Sequence, residues 1–352
     1  MRTAIIFLAT ALVAISFVAT TLAQTTPLAQ TSPPFTSVAF SPDGQELVVG
    51  SQAGVQVFSW PELVPGRRIS SELVQVNDIV FSPDGRKLLV SGGAPAEYGA
   101  CELLAWPEGK RLSRLGGHSD LVYRAAWSPD GQRIVTASGD ATCRVFFVQP
   151  NSQANQDEPV IIDKKLIDEE IVYQGHSRPV LAVCFMPDGK SVCSAGVDHT
   201  IRHWDSLTGS HLRTLDNHLA TVNELVMLSK PSSMLISISD DRTVRLWQPS
   251  IGRMVRFVRL PEAAQAIALS PKSGRLYVAS GDATLHAIDP ESMTILPRTD
   301  HEAKTAGDQK AVIYALAVAV DDKGTKQEPI VIAGRGLRVQ NYDLMPASNS
   351  TR

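Results

Sequence analysis

"AWSPDGQRIVTASGD", residues 126–140, holds a tight turn between two β-rich runs. Proline presets the turn φ, aspartate bonds the local backbone and glycine takes the positive φ that closes a hairpin. The same device returns as "FSPDG" at 40–44 and 81–85 and as "FMPDG" at 185–189. Its first residues, 40, 81, 127 and 185, lie 41, 46 and 58 positions apart. Self-similarity at a period of about 40–45 residues is the mark of a repeat architecture, so the repeat is read before any single motif.

Every unit has the same grammar. A short alternating run ("TSVAF", "VNDIVF", "VYRAAW", "VLAVCF") ends at the turn. A second follows ("ELVVGS", "KLLVSG", "RIVTAS", "KSVCSA"), then a Gly/Asp corner, then a third ("GVQVFSW", "CELLAW", "TCRVFF", "TIRHW", "TVRLW"). A more polar fourth segment leads onward, and no helical periodicity intervenes, so each unit predicts a four-stranded antiparallel sheet. Such a sheet cannot cover both its faces alone; stacked radially, the sheets bury one another and leave only short edges. Seven units are counted, at 36–72, 76–113, 118–174, 176–215, 218–258, 263–297 and 311–344. The expected fold is an all-β, seven-bladed propeller over 36–344, followed by a tail at 345–352. The last unit has three credible strands, and the proline-containing segment 24–35 is expected to supply its outermost one and close the ring.

The residues resemble the WD-repeat family of β-propellers. "GHSRPVLAVCFMPDGKSVCSAGVDHTIRHWD" (175–205) follows the family pattern most fully, and "GHSDLVYRAAWSPDGQRIVTASGDATCRVFF" (117–147) nearly so. The resemblance implies a buried chain of histidine, strand hydroxyl, aspartate and tryptophan in each blade. Carried over, it assigns His176, Ser194, Asp198 and Trp204 to the fourth unit, and His218, Ser239, Asp241 and Trp247 to the fifth. The third receives His118, Ser138 and Asp140, with Phe146 replacing the tryptophan. The sixth keeps Asp282 without its histidine or tryptophan, and Trp60 and Trp106 stand two residues late in the first two units. Sets that recur in successive repeats specify a fold; a hydrolase needs one triad beside an oxyanion-stabilising element.

Residues 1–23 carry Arg2, an apolar run from Ala4 to Ala19 and a small-residue site, the layout of a cleaved export signal. The protein is therefore expected in the periplasm or secreted, without membrane insertion after cleavage. The 33 basic and 36 acidic residues are close to balance and include no basic run, which weakens a nucleic-acid reading. Four cysteines include no metal or haem spacing, so no cofactor and no metal is expected. Cys184 and Cys193 fall opposite each other across a hairpin and are a candidate disulfide, against a plain role as small core residues. "DHTIRHWD" (198–205) places His199 and His203 near Asp198 and Asp205, yet strand alternation separates them as ligands. The acidic insertion 155–174 and the enlarged loop 92–100, with Tyr98, depart from the repeat.

Repeats that serve the fold leave little for chemistry, so the reading is a non-enzymatic, monomeric protein-binding scaffold. In WD-repeat propellers partners dock on the narrow face around the channel, which by position implicates Asn77, Asp78, Tyr123, Arg124, Leu181, Asn223, Glu224 and Tyr314. Tyr123 and Arg124 lead, being favoured anchor types. The chain is also similar to bacterial-type exported propellers found with c-type cytochrome modules, which suggests a cytochrome or envelope complex as partner. The rival reading is a lactonase-like hydrolase with a channel site, for which only Asp78 and Glu224 are candidate carboxylates.

Overall fold

The computed structural model describes residues 33–148, 170–228, 233–297, 313–319 and 327–343. These form six four-stranded antiparallel sheets and a three-stranded one, each running from an inner to an outer strand in chain order. The inner strands, Phe35–Phe40, Gln75–Phe81, Val122–Trp127, Val180–Phe185, Val222–Leu228, Ala264–Leu269 and Ile313–Val318, each lie beside the next, and the last beside the first. The fold is an all-β propeller with six complete blades. The expected seven complete blades are thereby corrected, since the sheet of Ile313–Val318, Gln327–Gly334 and Leu337–Asp343 has three strands. Phe35 belongs to the first inner strand, and 24–32, assigned above to ring closure, lies outside the described residues, as do the signal 1–23, the insertion over 149–169 and the tail.

The local chemistry is that read in the sequence. Ser41, Ser82 and Ser128 donate to the carboxylates of Asp43, Asp84 and Asp130, which also accept the amide two residues on. Gly44, Gly85, Gly131 and Gly189 then take φ between 68° and 70°. At the other end, Asp140, Asp198, Asp241 and Asp282 accept the amide two positions later. That bond holds the intervening Ala141, His199, Arg242 and Ala283 at positive φ, a conformation rare outside glycine.

Each sheet is covered on both faces, so the second strands are buried almost throughout (Glu46–Ser51, Lys87–Ala94, Arg133–Ser138, Ser191–Gly196, Met234–Ser239, Leu276–Ser280). Apolar cores fill the wedges between neighbours, such as Ile236, Val278 and Ile288 between the fifth and sixth blades. Val38, Leu47 and Val49 of the first blade pack on Ala315, Val331 and Ala333 of the three-stranded sheet. Each large side chain so buried contributes about 1.5–3 kcal/mol. The loop expected at 92–100 is instead hairpin: Ala94 pairs with Tyr98 and Gly92 with Ala100. Gly92 is required there, because a Cβ would stand 1.8 Å from the Gln75 carbonyl oxygen.

Candidate functional site

Among the described residues three blades carry a buried polar chain built on a histidine and an aspartate. In the fourth, Trp204 Nε1 donates to Ser194 Oγ at 3.1 Å, Ser194 Oγ lies 2.8 Å from His176 Nε2, and His176 Nδ1 meets Asp198 Oδ2 at 2.9 Å. The carboxylate can only accept, which fixes the proton on Nδ1 and leaves Nε2 to accept from the serine. The fifth blade repeats the chain through Trp247, Ser237, His218 and Asp241. In the third, His118 joins Asp140 to Thr136, and Phe146 ends it.

The hydroxyls expected in two blades are corrected. Ser138 and Ser239 are spent on the corner: each donates to a carbonyl, of Asp120 or Ala220, and accepts the amide of its own aspartate. Thr136 and Ser237, two residues deeper, meet the imidazole. Their spacing of four residues before the aspartate, shared with Ser194, was the available signal.

Burial alone would raise Asp140, Asp198 and Asp241, but the histidine and threonine bonds win and hold them far below the usual carboxylate value of 3.8. Their stabilisation is present above 3.8 and lost only as pH falls toward the depressed values. Burial lowers His218 below 6.5, with Asp241 partly offsetting it, and burial lowers His203 and His211 as well. Folded chains then bind these protons less readily than unfolded ones, so this stability is full above 6.5 and falls away below it. Thermal unfolding should show Tm declining from about pH 7.5 to about pH 5.5, with a shallower decline in His218→Gln. An identical slope in that variant would refute the assignment to His218.

The channel end is organised by a β-bulge. Each inner strand shifts register at the same place, leaving Thr36, Asn77, Tyr123, Leu181, Asn223, Gln265 and Tyr314 as the extra residue. Bulges re-aim side chains at sheet ends next to functional sites. Sequence position located five of the seven and missed Thr36 and Gln265. Three latch their blade to the next: Thr36 Oγ1 donates to Val76 O, Asn77 Nδ2 to Val122 O at 3.0 Å, and Asn223 Nδ2 to Ala264 O at 2.7 Å. Each acceptor is the residue preceding the bulge of the following blade. Tyr123, Leu181 and Tyr314 make no such bond among the described residues. Tyr123 and Leu181 are half-buried, and Tyr314 is exposed.

Just inside, Asp78, Arg124 and Glu224 line a cavity of about 200 Å³ with Val80, Ala182 and Leu225. Arg124 Nη1 meets Asp78 Oδ1 at 3.0 Å, and Nη2 meets Glu224 Oε1 at 2.7 Å. The other carboxylate oxygens accept amides of the following blade, Asp78 Oδ2 from Ala125 and Glu224 Oε2 from Ile267, both at 3.0 Å. Burial lowers the Arg124 guanidinium, but Glu224 and Asp78 more than reverse this, for a net rise. Burial raises Glu224, with Arg124 pulling the other way. The two candidate carboxylates are thus held by one arginine across the channel.

Cys184 and Cys193 do pair in register, yet both are free thiols, which corrects the candidate disulfide. Cys193 Sγ instead points to Met186 Sδ at 3.9 Å inside the wedge between the fourth and fifth blades. Burial pushes Cys101, Cys143 and Cys184 up to about 12 and Cys193 well above its ordinary value, leaving them poor nucleophiles. His203 bonds Ser191 rather than facing Asp198, and among the described residues no group of three or more His, Cys, Asp and Glu is placed to hold a metal. Tyr98 lies under Arg114, its ring centre 5.1 Å from the guanidinium.

The fold and its repeated His–Asp chains define a propeller of hydrogen-bonded blades. The family profile described as WD domain, G-beta repeat, matches residues 24–59, 109–146, 168–205 and 209–248. The chain is 29% identical over 215 residues to a guanine nucleotide-binding protein subunit beta of Oryza sativa subsp. japonica, covering 58% of this chain and 54% of the relative. It is 27% identical over 139 residues to COMPASS component SWD3 of Saccharomyces cerevisiae, covering 40% and 39%. A third relative, Protein HIR1 of Cryptococcus neoformans var. neoformans, is 28% identical over 39% of this chain and 16% of its own. The chain spans about half the length of the first of these relatives or less. Together the repeat matches and the relatives support a WD-repeat family.

Proposed function

We propose that this chain is a non-enzymatic protein-interaction platform whose docking surface is the bulged end of the propeller. The carrying observation is the division of labour among the bulge residues. Thr36, Asn77 and Asn223 serve the ring, while Tyr123, Leu181 and Tyr314 hold no inter-blade bond among the described residues and present large side chains around the channel mouth. Aromatic groups so placed are common interface anchors. A hydrolase reading fits less well, because Asp78 and Glu224 are already tied to Arg124 and to backbone amides. In this reading the three-stranded sheet is a seventh blade. The apolar run in 1–23 supports export, and the partner in this reading is a c-type cytochrome or an envelope complex. Two relatives bear names of components of larger assemblies, the setting proposed here.

Affinity capture from native extract, comparing wild type with Tyr123→Ala/Leu181→Ala/Tyr314→Ala, tests the surface. The variant should lose the specific partners while keeping its Tm within a few degrees. Recovery of the same partners would overturn the proposal.

A further inference from the structure

The outermost strands segregate charge. Across Pro65–Ile69, Arg111–His118, Ile171–Tyr173, His211–Leu215, Arg253–Arg259 and Thr294–Ile295 there are eight arginines and no aspartate or glutamate, in a chain of net charge −3. In the first two blades carboxylates answer them: Arg67 meets Glu46, and Arg111 and Arg114 meet Glu72 at 2.6 and 3.5 Å. In the fourth and fifth blades none does, among the described residues. Among the described residues the side chains of Arg213 and Arg256 donate only to the carbonyls of Ser250 and Glu291, and those of Arg253 and Arg259 make no hydrogen bond or ion pair.

The same rim is apolar. The fifth blade's outer strand reads "RMVRFVR", without acid, proline or glycine, and exposes Val255 and Phe257 at 36% and 52%. Arg245 lies behind the Phe257 ring at 6.0 Å, and Leu212 and Ile251 are about half exposed on either side of the Arg213–Ser250 bridge. Among the described residues one backbone edge of this strand is unpaired, since it ends its sheet. Arginines on such an edge repel copies of the same strand. They also select what can replace the missing neighbour.

We infer that the outer strand Arg253–Arg259 is a second docking surface, which takes an extended acidic peptide segment with apolar residues between its carboxylates. Seven residues span about 20 Å of strand. Carboxylates alternating along the ligand would reach Arg253 and Arg256, which the bulge at Val255 leaves on one face, and its apolar side chains would lie with Phe257 on the other. Main-chain bonds supply the attraction, and charge supplies the choice.

The test uses the mature protein and a fluorescein-labelled decapeptide of alternating glutamate and valine, read by anisotropy. Binding should weaken steeply with salt and by more than tenfold when glutamine replaces glutamate. Arg253→Glu/Arg256→Glu should weaken it by more than tenfold at unchanged Tm, whereas the same reversal at Arg67 and Arg68 should leave Kd within twofold. Equal loss in both double variants would mean diffuse charge attraction and overturn the proposal. So would equal binding of the glutamine peptide, no binding of either, or binding of phosphatidylserine vesicles in place of the peptide.

Discussion

Trp204→Ala is expected to cost about 3–5 kcal/mol, at the upper end for a single core truncation. The indole is fully buried, stacks on Tyr173 with ring centres 4.6 Å apart, and donates the first hydrogen bond of the chain through Ser194 and His176 to Asp198. Alanine removes the packing, opens a cavity against Tyr173, and leaves Ser194 without its donor. In a domain of this size the Tm should fall by roughly 5–10 °C. Trp204→Phe keeps most of the ring and loses only the N–H, a change of about 1–2 kcal/mol. The third blade carries that state natively, with Phe146 buried and His118 still joined to Thr136 and Asp140. Calorimetry on both variants checks the ordering; a phenylalanine variant as damaged as the alanine one would place the energy in the hydrogen bond instead of the packing.

The same contrast shows what was legible in advance. Turn chemistry and spacing are local, so the Ser-Pro-Asp-Gly corners and the sheets they join could be read directly. The polar chains were legible as far as the aspartate and histidine, whose partners lie within one unit. The hydroxyl was ambiguous, because "TAS" and "SIS" each offer two candidates, and only the hairpin geometry shows that the one nearer the aspartate closes the corner. Cys184 and Cys193 illustrate a further limit: pairing follows from register, but whether a bond forms does not. Least legible was Arg124. Its partner Asp78 lies 46 residues away and Glu224 sits on a different blade again, so only closure of the ring brings the three together.

Arg124→Met should therefore destabilise the ring by about 3 kcal/mol, because removing one member of a buried ionic set strands the others. The side chains of Asp78 and Glu224 are only 6% and 15% exposed, and without the guanidinium each faces the channel with a single amide bond. The pH dependence follows from Glu224. Its carboxyl already titrates above the ordinary 4.5, burial being the larger cause and Arg124 the main restraint. A raised carboxyl stabilises most below its unfolded value and loses that contribution as pH rises through the folded one. With Arg124 gone the folded value climbs further, so the deficit of the variant should grow from about pH 5 to about pH 8. Arg124→Met/Glu224→Gln removes the titrating group, and its deficit should be smaller and flat with pH. Because Asp78 and Glu224 also latch their blades to the next, loss of the arginine should loosen the bulged end first. Hydrogen exchange should then rise at Ala125 and Ile267 before the outer strands respond. A deficit that shrinks with rising pH, or exchange that rises evenly across the blades, would show that Arg124 does not hold the channel mouth together.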